Sequence, residues 1–163
     1  MNVDITLPDG SVRNYESPVT GYQIAESIGP RLLKDAICVE IDNKFQDLSY
    51  EISENINIRI VTTKDLDALH ILRHSSAHIL AQAVLNLYPN AQFGVGPSIE
   101  NGFYYDFLFE TPIKENELEN IEKEMKSIAK SAQSFIRSEI TKKDAVKIFK
   151  NQKLKLELIE SAE

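Results

Sequence analysis

A single cysteine, Cys38, in 163 residues excludes an intrachain disulfide and points to a reducing compartment. No apolar run approaches the roughly 20 residues that cross a bilayer. Met1-Asn-Val-Asp-Ile5 also lacks the basic start and apolar stretch of a secretory signal, so a cytoplasmic location and no membrane partner are expected. Cations are outnumbered, 18 Lys and Arg against 25 Asp and Glu, and the net charge of −7 argues against a surface that wraps nucleic acid on all sides. A local basic patch stays open, because Lys142, Lys143, Lys147, Lys150, Lys153 and Lys155 gather near the C-terminus; the plainer reading is a solvated helix face. Three catalytic signatures are missing: the His-Glu-x-x-His zinc pattern, the Gly-x-x-x-x-Gly-Lys-Ser/Thr phosphate loop, and a carboxylate pair, since Glu100 and Asp106 stand alone. There is no internal repeat and no low-complexity linker.

What is present suffices for one ordinary domain or two small ones, with 42% hydrophobic and 26% charged residues. Val3 to Leu7 alternates as a half-buried strand, Pro8-Asp9-Gly10 is a turn, and Val12 to Tyr15 returns antiparallel. Thr20 caps a helix through Ile28 that Gly29-Pro30 stops. Ile37 to Ile41, Asp42-Asn43 and Lys44-Phe45 read as a second hairpin, and Ile56 to Val61 as a last strand. That order, over residues 1–62, predicts a β-grasp, ubiquitin-like sheet crossed by a helix. A second regime, residues 63–163, opens with Thr62 and Asp65 at capping-box spacing. A helix follows from Asp65 to Tyr88 with an apolar stripe of Leu66, Leu69, Leu72, Ala77, Leu80, Val84 and Leu87. Residues 91–109 suggest a bent strand pair. Glu115 to Gln133 reads as a helix with Leu118, Ile121, Met125, Ile128 and Ala132 on one face. Phe135 to Ile140 reads as a strand, Thr141 with Asp144 starts a third helix, and Leu154 to Leu158 alternates as a strand. The fold class is α+β.

Two segments carry chemistry. In Arg73-His74-Ser75-Ser76-Ala77-His78 the two histidines lie one helical turn apart, so both imidazoles leave the same face. Two imidazoles, even with His70 a turn earlier, are a thin ligand set for a resident zinc, and no metal is expected. A neutral imidazole that activates or orients a water is the better-posed role; two helix histidines serving neighbouring polar groups is the plainer one. In Gly94 to Asp106, Gly94, Gly96 and Gly102 permit close backbone approach. Tyr104 and Tyr105 face opposite ways if the segment is extended, so that one can stack on a base or sugar. Lys155, flanked by Leu154 and Leu156, faces away from the apolar side and either holds an anion or is merely solvated.

Leu7-Pro-Asp-Gly-Ser11 resembles the opening of a TGS domain. Ile71-Leu-Arg-His-Ser-Ser-Ala-His-Ile-Leu80, followed by Gly94-Val-Gly-Pro-x-Ile-Glu-Asn-Gly-Phe-Tyr-Tyr-Asp106, resembles the start of the second N-terminal domain of threonyl-tRNA synthetases. The resemblance implies a TGS domain over residues 1–62 and, over 63–163, the first part of an editing domain that hydrolyses seryl-tRNA made in error. Reading one methyl is worth only about 1–3 kcal/mol, so a second hydrolytic sieve has a physical rationale. By resemblance His74, His78 and Lys155 belong to the editing pocket; Tyr104 and Arg73 are substrate-binding candidates. The family's Cys-x-x-x-His segment does not occur here, which implies a C-terminally truncated, incomplete pocket. ATP, magnesium and zinc are implied only for the parent enzyme's catalytic domain, not for this stretch, and dimerisation for its other domains. The implied partner is threonine-specific tRNA mischarged with serine. Two alternatives stand beside this: a free-standing editing deacylase acting in trans, and a non-catalytic tRNA-binding or regulatory module.

Overall fold

The computed structural model describes residues 1–134, 136 and 138–162, which divide into two compact units, Met1–Leu69 and His70–Glu163. The α+β class holds in both.

The first unit begins with β1 (Asn2–Thr6) and β2 (Val12–Glu16), paired antiparallel with Val3 opposite Tyr15. Their turn closes through Gly10 N–H to Leu7 O at 2.9 Å, with Gly10 at φ 80°, a conformation that favours glycine. β3 (Val19–Thr20) leads into α1 (Gly21–Ile28), where Thr20 and Gln23 make a reciprocal capping box. Gly29-Pro30 interrupts the helix rather than ending helical structure. Proline at the first position starts α2 (Pro30–Asp35), where its missing N–H costs nothing. β4 (Ala36–Ile41) and β5 (Lys44–Asp47) form the second hairpin, turning through Asp42 and Asn43 at φ 48° and 59°. That is the left-handed pair a two-residue hairpin turn needs. After β6 (Glu51–Ile52), which pairs with β3, β7 (Ile56–Thr62) inserts between β1, in parallel, and β4, antiparallel. The sheet order β2-β1-β7-β4-β5 is the expected β-grasp.

Its core is the inward set of each strand plus the inner face of α1: Val3, Ile5, Ile24, Val39 and Ile58, with Ile5, Ile24 and Val39 wholly inaccessible. The helix comes so near the sheet at Gly21 that a Cβ there would sit 2.4 Å from Val39 Cγ1. At the end of β7, Asp65 accepts from Thr62 N and Oγ1 at 2.7 and 2.8 Å, the carboxylate half of the expected cap. Arg59 holds Glu40, Asp65 and Asp67 at 2.6, 3.1 and 2.8 Å. Being partly exposed, such a cluster contributes about 1 kcal/mol per pair at most.

In the second unit, α3 (Leu66–Leu87) runs across the boundary between the units, within its first turn. Its buried side keeps Ala77 and Val84 of the expected stripe, with Leu80 packed against the core, but not the other leucines. Leu66, Leu69, Leu72 and Leu87 are exposed, whereas Ala77, Ala81, Ala83 and Val84 are buried. Short side chains let other elements approach closely, and the leucines are displaced outward. β8 (Gln92–Phe93) pairs with β11 (Phe107–Leu108), and β9 (Ser98–Ile99) with β10 (Gly102–Phe103), so the expected strand pair is two nested ladders. Gly94 N–H to Asp106 O and Asp106 N–H to Val95 O, both 2.9 Å, extend the outer ladder past β8.

α4 (Leu118–Lys130) follows a short 3-10 turn at Glu115–Glu117 and buries Ile121 and Ile128 against Ala83, Val84 and Ala91, as its spacing predicts. It is shorter than expected: Leu118 is exposed and Ala132 lies past its end at φ 49°. For the strand expected over Phe135 to Ile140, Phe135 and Arg137 lie outside the described residues, and the described ones among them form none. α5 (Lys142–Ile148) is capped by Thr141 as expected. α6 (Lys153–Ser161) replaces the strand expected over Leu154 to Leu158. Its Lys, Leu and Glu residues are strong helix formers and poor strand formers, and that preference overrides the alternation. No helix among the described residues is long and apolar enough to cross a membrane.

Candidate functional site

His74 and His78 leave the same face of α3, both exposed at their outer side, with Nε2 atoms 3.1 Å apart and rings edge-on at 85°. A hydrogen bond between two imidazole nitrogens needs one N–H and one bare lone pair, so the pair carries at most one positive charge. His78 is held below the ordinary histidine value, first by desolvation, then by His74 and Lys155. The lowering favours the neutral ring, which keeps a basic nitrogen.

Lys155 is neither on a strand nor merely solvated. It projects from α6, half-buried, and Nζ donates to Gly94 O at 2.7 Å. The ammonium lies 4.9 Å from the Phe93 ring centre and 5.9 Å from that of Tyr105. Burial pushes its pKa down. Lys155 is the smallest of the influences that disfavour a proton on His78, and both imidazoles are exposed.

The lysine is positioned by residues that the sequence did not single out. Gln152 acts as a substitute strand: Oε1 accepts from Phe93 N at 3.2 Å and Nε2 donates to Ala91 O at 3.1 Å. Lys153 N donates to Gln92 Oε1 at 2.7 Å. These bonds fasten the first turn of α6 along the edge of β8. Underneath, Tyr105 stacks on Phe107 with ring centres 5.1 Å apart. Gly96 must be glycine for this stack, because a Cβ there would lie 2.1 Å from the Tyr105 ring.

The other expected residues behave differently. Arg73 donates through Nη1 to the carbonyls of Ile99 (3.2 Å) and Glu100, so it ties α3 to the β9 hairpin rather than presenting a free cation. Tyr104 is exposed and Tyr105 half-buried, the alternation expected of extended chain, although neither lies in a ladder. His70, a turn before the pair, meets Ser98 Oγ through Nδ1 at 2.8 Å. Among the C-terminal lysines, Lys142 caps α6 through Glu160 O and Ala162 O at 3.2 and 2.8 Å, and Lys147 pairs with Asp144 at 2.8 Å. Half of the cluster, Lys142, Lys147 and Lys155, is thus engaged with the protein's own groups. A roomier concavity of about 650 Å³ lies around Tyr88, Phe109 and Glu117, and none of the three charged or basic groups lines it. Among the described residues no group of three or more His, Cys, Asp or Glu is placed to hold a metal.

The TGS domain family matches residues 3–62. Threonine–tRNA ligases of Francisella philomiragia and Paraburkholderia phytofirmans are 48% and 49% identical over 161 residues, 98% of this chain. That of Ralstonia nicotianae is 47% identical over the same share. The chain spans 25% of the length of these relatives. A solved structure described as ATBAG1 in complex with HSP70 overlaps 100% of this chain and 83% of its own at a TM-score of 0.30 and 11% identity, too low to bear on the fold. Residues 3–62 match the TGS domain family, and over 98% of its length the chain is similar to the N-terminal region of threonine–tRNA ligases.

Proposed function

We propose that this chain works within a threonine–tRNA ligase, in the cytoplasm, as part of a proofreading module that hydrolyses threonine-specific tRNA mischarged with serine. The ligation itself, with its ATP, magnesium and zinc, and any dimer contact are assigned to other domains of that enzyme. The observation that carries the reading is the imidazole pair, with 3.1 Å between Nε2 atoms.

The bond to be cut is the ester between the seryl carbonyl and the terminal ribose. Water attacks the carbonyl carbon while a bare imidazole nitrogen takes its proton. The tetrahedral oxyanion that forms is stabilised by the Lys155 ammonium. On collapse, the protonated imidazole returns the proton to the departing ribose oxygen, so the pair ends as it began. A base whose pKa lies below 6.5 remains unprotonated at cellular pH, so hydrolysis is constant near neutrality and falls only as the pH drops through that lowered value.

Lys155→Gln in the longer enzyme tests the oxyanion role. The hydrolysis rate falls about tenfold, short of the 10²–10³ of an enclosed donor, because the ammonium is only half-buried and is shared with Gly94 O. Stopped assays of seryl-tRNA decay measure it. An unchanged rate would remove Lys155 from the chemistry and leave it as a clamp on β8.

A further inference from the structure

A turn before the imidazole pair, α3 takes part in a second constellation that proofreading does not use. Ser98 Oγ lies 2.8 Å from His70 Nδ1 and 3.5 Å from Nε2 of the same ring. A neutral imidazole leaves one of these nitrogens bare, so either tautomer sets a base within 3.5 Å of the hydroxyl. Arg73, three residues along the helix and on the neighbouring turn, donates through Nη1 to the carbonyls of Ile99, which follows Ser98 in β9, and of Glu100. Neutral carbonyls do not cancel a cation, and Nε and Nη2 of Arg73 have no partner among the described residues. Nucleophile, base and a fixed positive charge thus meet at one strand. We propose that Ser98 is an acyl-accepting nucleophile for small activated carboxylic esters, with His70 as its general base and Arg73 as the stabiliser of the oxyanion. This does not rest on the proofreading role.

The hydroxyl is held from both sides along the chain. Pro97 restricts the backbone ahead of it, and the ladder to β10, with Ser98 opposite Phe103, holds it behind. Ser98 is half-buried and His70 exposed, so a small ester reaches the pair from solvent. Ser98 Oγ attacks the carbonyl carbon while its proton passes to His70. The carbonyl oxygen becomes an oxyanion, which the Arg73 guanidinium favours. On collapse the ester C–O bond breaks and His70 returns the proton to the departing oxygen, leaving an acyl ester on Ser98. Water then attacks the acyl carbon, His70 takes the water proton and gives it to the Ser98 oxygen, and the carboxylic acid leaves. Among the described residues no carboxylate hydrogen-bonds His70 from behind. Such an orienting carboxylate contributes about 10⁴-fold in serine hydrolases. The pair is therefore confined to esters with a good leaving group.

The probe is p-nitrophenyl acetate, mixed with the 163-residue chain near neutral pH. Absorbance follows nitrophenolate release, and peptide mass spectrometry locates the acetyl group. A burst of about one nitrophenolate per chain is expected, followed by slower turnover, with the acetyl group on Ser98. Ser98→Ala abolishes the burst. His70→Gln keeps an amide that can hydrogen-bond to Ser98 but supplies no base, so a merely structural contact would survive it. The burst rate in this variant falls by at least about 10²-fold. Arg73→Gln lowers the rate about tenfold, less than the loss of an enclosed oxyanion donor, and Arg73→Lys, which keeps the charge, restores most of it. Acetyl groups found only on lysines, histidines or the N-terminal amine overturn the proposal. So does an undiminished burst rate in His70→Gln, which would leave the contact as a fastening between α3 and the β9 hairpin. An unchanged rate in Arg73→Gln overturns the oxyanion role and leaves nucleophile and base standing.

Discussion

His74→Ala in the longer enzyme lowers seryl-tRNA hydrolysis about 10²–10⁴-fold, the range of a positioned acid–base group, and leaves threonine attachment unchanged. The effect is large because His74 and His78 act as a unit. Removing one ring deletes the partner that fixes the other's tautomer across the 3.1 Å contact. Losses in residues that act together are not additive, so the double variant His74→Ala/His78→Ala falls little further than either single one. Ligation is expected to be insensitive because the proposal assigns it to other domains. Measuring both activities on the same preparation separates this from a folding defect. Equal loss of both would make the pair structural. Because both rings are solvent-facing at their outer side, truncation leaves no buried void, and a normal melting profile is expected.

Ile5→Ala destabilises the TGS domain by about 2–5 kcal/mol, the cost of emptying a core position that collapses only partly. Ile5 is wholly inaccessible, and its backbone lies opposite Arg13 on one side and Ile56 on the other. Neither neighbouring strand can move in to fill the space without breaking a ladder. With two units in one chain, a single melting temperature mixes two transitions, so amide exchange is the cleaner readout. Protection of Val39 and Ile60, in the central strands of the same sheet, falls on the order of 10²-fold or more. Ile5→Val, which removes one methylene, costs only about 0.5–1.5 kcal/mol. Undiminished protection in Ile5→Ala would mean that β1 contributes little to the domain's stability.

The β-grasp was legible because its signals are local and agree with one another. Strict alternation in β1 and β7, a turn at Asp9-Gly10, Asp42-Asn43 between two strands and a threonine cap at Thr20 each specify one element, and together they specify one sheet. β3 and β6 escaped notice because two residues each leave no periodicity to read. The second unit was less transparent. On α3 the leucines are the largest hydrophobic signal, yet the alanines are buried, since close packing rewards small volume and hydrophobicity alone does not encode it. In Leu154 to Leu158 the alternation of period two competed with helix-forming residue types and lost. Lys155 therefore lies on a helix and not on a strand, and Gln152 fixes the start of that helix to β8. The histidine pair was readable from spacing alone; Gln152 and Phe93 were not, as nothing local marks a glutamine that bonds a distant backbone.

The central claim is that His74, His78 and Lys155 share one electrostatic site. The most direct measurement is the titration of the His78 imidazole by nuclear magnetic resonance in the 163-residue chain and in Lys155→Gln. A nearby ammonium disfavours the imidazolium, so its removal must raise the midpoint. The expected result is a midpoint below 6.5 in the unaltered chain that moves upward in Lys155→Gln. A midpoint at or above 6.5, unmoved by the substitution, would contradict it.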